Sequence, residues 1–184
     1  IDLYERVSWE KPDKRLAAKV VERLYSEDGS PLQYRINRLG NRSKQEKWIM
    51  QAELFNEVHR WVLKGWNTKD PERITEHAVD RRYRIVQEFM KAARNTFGDA
   101  WGDPKYHITK PVTLKALIRV CADLAAKDAE PAEGRERRWN NRLAPWSEVV
   151  REFRDDGFYE RFAAKGQVER VGKIHRYLAG LIRL

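Results

Sequence analysis

Apolar residues recur at intervals of three and four along most of this chain, and this spacing constrains its fold more than any other sequence feature. Such spacing is typical of helices that bury one face. One stripe, between residues 13 and 25, consists of Leu16, Val20, Val21 and Leu24. Segments of this kind predict a mainly α-helical bundle of about six or seven helices.

The remaining helices follow from the same spacing and from their start and stop signals. Ser43 and Glu46 form a capping-box pattern that predicts a helix beginning near Lys44, which Gly65 would close. Proline favours the first turn of a helix, so a further helix is expected to begin at Pro145. Other helices are predicted at about residues 70–97, 110–127, 135–142 and 167–184.

One short stretch departs from the helical spacing. After the turn-rich residues 26–31, Leu32, Tyr34 and Ile36 alternate with polar residues, as in a strand. This pattern predicts a short β element near residues 32–38. A single strand cannot form a sheet, so its partner would lie either unnoticed in this chain or outside it.

The composition narrows the setting in which the chain can work. Its 184 residues include 37 Lys and Arg against 28 Asp and Glu, a net charge of +9 that attracts polyanions. A single cysteine, Cys121, excludes an internal disulfide and suits a reducing compartment, so we expect a cytoplasmic location. No stretch approaches the roughly 20 apolar residues of a membrane span, so no membrane partner is expected.

Residues 128–134 are small and polar, which favours a linker there. They predict a helical core domain with a short β element at residues 1–128. A smaller basic helical region would occupy residues 129–184, either apart or packed on the same core.

The sequence holds no recognisable catalytic motif. Its histidines, His59, His77, His107 and His175, are far apart, and none has a second metal ligand at helical spacing. No glycine-rich phosphate loop is present. We therefore predict no catalytic residue, no metal site and no cofactor within this chain.

Arginines near an aromatic residue are the best indication of a binding site. Arg135, Arg137, Arg138 and Arg142 surround Trp139 in a short helix. On the last helix, Lys173, Arg176 and Arg183 lie opposite the apolar stripe. Such cations neutralise phosphates, and an exposed indole stacks on a base, so these eight residues are the candidate nucleic-acid contacts. The alternative is that Trp139 anchors the short helix to the core and the charges are solvated.

Arg82 lies where an arginine is unexpected. On the helical wheel of residues 70–97 it falls within the apolar arc formed by Ile74, Ile85 and Phe89. A buried guanidinium needs a partner, because an unpaired buried charge costs several kcal/mol. We expect either a buried ion pair with an acidic residue of a neighbouring helix or an anion-binding group at the bottom of a cleft.

The first third of the chain resembles a known family. Leu3-Tyr4, the helical residues 17–24, Ser30-Pro31-Leu32 and Arg35-Ile36 are similar to a stretch of the DGQHR-domain proteins, relatives of the DndB-type proteins associated with DNA sulfur modification. The similarity covers roughly residues 1–65. The Asp-Gly-Gln-His-Arg signature itself does not occur in this chain, so the resemblance implies the C-terminal helical region of such a protein.

The resemblance implies a bacterial setting of DNA modification or restriction. It also implies a signature-bearing domain upstream of Ile1, which agrees with a first residue other than methionine, and it assigns no catalytic residue to this chain. We therefore expect a DNA-associated accessory or regulatory region that binds duplex DNA. One alternative is a protein-interaction scaffold without nucleic acid. The other is the helical part of a nuclease or nucleotide hydrolase whose active residues lie upstream.

Overall fold

The chain is mainly α-helical, as its spacing predicts. The computed structural model describes residues 12–38, 46–64 and 76–184. Seven α-helices lie in these ranges: α1 Pro12–Ser26, α2 Gln51–Glu57, α3 Glu76–Phe97, α4 Pro111–Lys127, α5 Arg135–Leu143, α6 Phe158–Arg161 and α7 Gln167–Leu181. A π-helical segment, Val58–Val62, extends α2, and 3-10 segments cover Gly98–Ala100 and Ala144–Phe153. Residues 70–75, predicted as the start of α3, lie outside the described residues.

The predicted β element has its partner within the chain. Strand β1 (Ile36–Asn37) pairs in parallel with β2 (Ile49–Met50), with Ile36 opposite Ile49. Both isoleucines are buried. Parallel partners need a connection between them, and here it spans residues 38–48.

The helix predicted from Lys44 begins later than expected. Residues 46–48 are irregular, β2 follows, and α2 starts only at Gln51. The backbone N–H of Trp48 donates to the carbonyl of Arg35 at 2.7 Å, so pairing with β1 replaces the first turns of the predicted helix. The capping residue Ser43 lies outside the described residues.

The chain divides into two compact units within α3. The first unit comprises the described residues up to Gln87, and in it α1 packs against α2 and against the π-helical segment. Its core is mainly aliphatic, although Tyr83, Phe55 and Trp48 are also buried there. The fully buried members include Leu16, Val20, Leu24, Leu32 and Leu54.

The second unit, Glu88–Leu184, is built around the packing of α4 on α7. Its core is rich in aromatic rings, since Trp146 stacks on Phe97 and Phe153 contacts Phe158 and Phe162. The indole N–H of Trp146 donates to the carbonyl of Leu178 at 3.0 Å. The predicted boundary between residues 128 and 129 lies inside this unit, where the packing of α4 on α7 crosses it.

Two expectations about helices of the second unit need correction. The helix predicted from Pro145 is the 3-10 segment Ala144–Phe153, and the last helix ends at Leu181 rather than at Leu184. Among the described residues, no helix combines the length and the apolar character required to cross a membrane.

Candidate nucleic-acid interface

Trp139 belongs to the core and presents no face to a base. It lies on the same side of α5 as Arg135 and Leu143, because residues four apart share a helix face. Only 2% of it is exposed, and its ring meets that of Phe89 edge to face at 6.2 Å between centroids. The predicted stacking of a base on Trp139 is therefore wrong, and the alternative holds: the indole anchors α5 to the core.

Arg135 forms a largely buried ion pair with Glu88. Its Nε lies 2.6 Å from Oε2 of Glu88, and the two side chains are 11% and 17% exposed. Its guanidinium also lies over the ring of Trp139, 5.2 Å from the centroid. A guanidinium held between a carboxylate and a buried ring is not available to an external phosphate.

Arg138 fastens α5 to the segment that precedes it. Its Nη2 donates to both carboxylate oxygens of Asp128, at 3.1 and 3.3 Å, and to the carbonyl of Pro131 at 2.8 Å. Its Nη1 donates to the carbonyl of Glu133 at 2.8 Å. The segment predicted as a linker, residues 128–134, is therefore tied to the helix that follows it.

Asp128 is the centre of this arrangement. Besides Arg138, it accepts the indole N–H of Trp139 at 2.7 Å and the backbone N–H of Glu130 at 3.0 Å. Burial by itself would raise the pKa of Asp128, but these hydrogen bonds hold it below its usual value near 3.8. Arg135 and Arg138 are both paired with carboxylates of their own unit, and we call them the inward arginines.

Four of the predicted contacts remain at the surface. The outward arginines are Arg137, Arg142, Arg176 and Arg183, all of which are exposed. In the part of the chain that the structure describes, none of them forms an ion pair with a carboxylate. Nη2 of Arg142 donates to the backbone carbonyl of Arg183 at 3.4 Å, so the end of α5 lies beside the residues that follow α7.

Lys173 is intermediate between these two sets. Its Nζ lies 3.2 Å from Oε1 of Glu169, one turn earlier in α7, and it also donates to the carbonyl of Ala163. Both members of the ion pair are about two-fifths exposed, so solvent screens the pair and it contributes little to stability. The neighbouring carboxylate reduces the charge that Lys173 offers to a phosphate.

Arg82 has a partner that the sequence did not suggest. Its Nη1 donates to the carbonyl of Val62, at the end of the π-helical segment, at 3.2 Å. Burial, together with the positive charge of Arg81, lowers the pKa of Arg82 from its usual value. The expected carboxylate partner is not found among the described residues, while anion binding by Arg82 stays a prediction.

Three of the histidines pair with aspartates. The Nε2 atoms of His59, His107 and His175 lie 2.6–2.7 Å from carboxylate oxygens of Asp13, Asp155 and Asp123, respectively. Each pair joins two segments that are distant in sequence, which is the arrangement of a structural contact. Within residues 12–38, 46–64 and 76–184, no three histidine, cysteine or acidic side chains cluster as a metal ion would require.

Two residues central to this region were missed in the sequence. Glu88 lies 47 positions before its partner Arg135, so no local spacing connects them. Asp128 lies in the segment whose small, polar residues predict a linker, so nothing in the sequence indicates its hydrogen bonds with Arg138 and Trp139.

No family model, no curated protein and no solved structure matches this chain.

Proposed function

We propose that this chain is a DNA-associated accessory or regulatory region, a basic helical lobe whose outward arginines contact the phosphates of duplex DNA. The observation that carries the proposal is the difference between the arginines of one region. Arg135 and Arg138 have carboxylate partners, whereas the outward arginines have none in the described residues.

Arginine suits this role chemically. Its guanidinium stays charged at any physiological pH and donates two parallel hydrogen bonds to a phosphate. The overall charge of +9 adds a long-range attraction that raises the rate of encounter with DNA. Contacts to phosphates alone carry no sequence information, so we expect binding with weak sequence preference.

The resemblance of residues 1–65 to DGQHR-domain proteins supports a bacterial setting of DNA modification or restriction for this activity. The resemblance lies within the first unit, whereas the outward arginines lie in the second. The setting and the phosphate contacts are therefore separate parts of the proposal, and each can fail without the other.

The salt dependence of binding tests the phosphate contacts. Each phosphate neutralised in duplex DNA contributes about −0.9 to the slope of log K against log salt, so four contacts predict about −3.6. Changing all four outward arginines to glutamine should bring the slope close to zero. Fluorescence anisotropy with a labelled duplex between low and moderate salt measures both slopes.

A matched variant controls for the loss of net charge. Arg94, Lys105, Arg151 and Lys165 are four exposed cations of the same unit, and their change to glutamine removes the same charge. This control should retain most of the wild-type slope. Equal slopes in the two variants would contradict the proposed interface, and a wild-type protein that does not bind DNA at low salt would favour the interaction-scaffold alternative.

A further inference from the structure

Two cations of the first unit are held close together beside β1 and β2. Nζ of Lys47 donates to the carbonyl of Tyr34 at 2.6 Å, and Nη1 of Arg35 donates to the carbonyl of Glu46 at 3.2 Å. The guanidinium of Arg35 also lies over the ring of Trp48, 4.7 Å from its centroid. Each cation is therefore held by a backbone carbonyl, and Arg35 is held by an aromatic ring as well.

Neither cation has a carboxylate partner in the described ranges. Residues 31–52 contain five Lys and Arg and a single acidic residue, Glu46. Partial burial lowers the pKa of Lys47, and the charge of Arg35 lowers it further. Because the two positive charges lie near each other, a bound anion would interact with both.

An exposed tyrosine lies next to the two cations. Tyr34 has a φ of 59°, a conformation uncommon for a bulky side chain, and yet 41% of the residue is exposed. Its backbone is fixed, since its N–H donates to the carbonyl of Tyr25 at 2.9 Å, and the two rings meet edge to face at 5.5 Å. An unfavourable backbone conformation that presents an aromatic ring to solvent is a reason to look for a ligand.

We infer that Arg35, Lys47 and Tyr34 form a nucleic-acid contact of their own, in which the two cations bind a backbone phosphate and the tyrosine ring stacks on an unpaired base. The inference rests on the proposed function in taking nucleic acid as the partner. It adds a specificity that the outward arginines lack, because only a single-stranded segment offers a free base face.

The test uses the full chain with a labelled thymidine decamer and, separately, a blunt duplex. Tyr34→Asn should weaken binding of the decamer about tenfold, as expected for the loss of one stacked base, and leave duplex binding unchanged. Its melting temperature should not fall, because asparagine adopts positive φ more readily than tyrosine. Tyr34→Phe, which keeps the ring, should bind the decamer like the wild type.

The charges are tested in the same assay. Arg35→Gln and Lys47→Gln should each make the salt slope for the decamer less negative, by up to about 0.7 for one phosphate on a single strand. Lys19→Gln removes an exposed charge from α1 of the same unit and should leave that slope unchanged.

The two nucleic acids separate this inference from the proposed function. If the wild type fails to bind the decamer at low salt, or if Tyr34→Asn binds it as tightly as the wild type, the inference is overturned. Duplex binding that depends on the outward arginines would survive either result. A melting temperature that falls in Tyr34→Asn together with intact decamer binding would assign Tyr34 a purely structural role.

Discussion

The arginines of α5 fall into two groups, of which one is paired with carboxylates and the other is not. The inward arginines Arg135 and Arg138 reach Glu88 and Asp128, and the indole of Trp139 is buried beside Arg135. Arg137 and Arg142 are exposed and have no carboxylate partner among the described residues, although Arg142 lies one turn after Arg138 on the same helix. These four arginines lie within eight consecutive residues.

This difference shows that the number of cations in a segment is a poor measure of the charge it offers to a ligand. A guanidinium already paired with a largely buried carboxylate cannot turn to a phosphate without leaving that carboxylate unpaired. Substitutions of the inward arginines should therefore act mainly on stability, and substitutions of the outward arginines mainly on binding.

The largest effect is expected for Arg135→Met. The change keeps most of the side-chain volume but leaves Glu88 largely buried without its partner, so the free energy of unfolding should fall by about 3 kcal/mol. Urea titration followed by circular dichroism measures it. A loss below about 1 kcal/mol would mean that the pair is solvated and would remove the distinction between the inward and the outward arginines.

Asp128→Asn should have the next largest effect, about 2 kcal/mol, because two charge-assisted hydrogen bonds from Arg138 and one from Trp139 lose their carboxylate. The folded-state pKa of Asp128 is lowered, so its contribution to stability is fully present above about 3.8 and is lost as the pH falls further. The stability difference between wild type and Asp128→Asn should therefore shrink as the pH falls below 4. A difference that stays constant from pH 7 to pH 3 would contradict this.

Arg82→Met should have a smaller effect, about 1–2 kcal/mol. It removes one hydrogen bond to the carbonyl of Val62 and a favourable charge near the end of a helical segment. The carbonyl of Val62 carries no net charge, so the loss of this hydrogen bond leaves no buried charge unpaired. A loss of 3–5 kcal/mol would reveal a buried ion pair instead, and a loss of anion affinity at unchanged stability would favour the anion-binding interpretation.

Much of the fold was predictable because it depends on local spacing. The apolar stripe of α1 and the extents of α4 and α5 each depend on residues that are only a few positions apart in the sequence. The pairing of β1 with β2 was not predictable, because two residues at Ile49–Met50 cannot be distinguished from the start of an apolar helix.

The candidate site was predictable in its residues but not in their roles. Helical spacing puts Arg135, Trp139 and Leu143 on one face, so an inward-facing Trp139 was a legitimate alternative. The partners Glu88 and Asp128 could not be identified, because one is distant in sequence and the other lies in a segment that looks like a linker. Which arginines remain available depends on those partners.

The most direct test compares two double variants of α5. Arg137→Gln with Arg142→Gln, and Arg135→Gln with Arg138→Gln, remove the same charge from the same helix. Replacing the outward pair should make the slope of log K against log salt for duplex DNA less negative by about 1.8. The free energy of unfolding should change by less than about 0.5 kcal/mol. The inward pair should lower stability by several kcal/mol and, at a temperature where it is folded, keep the wild-type slope. The reverse result, with the slope lost in the inward pair and kept in the outward pair, would contradict the account.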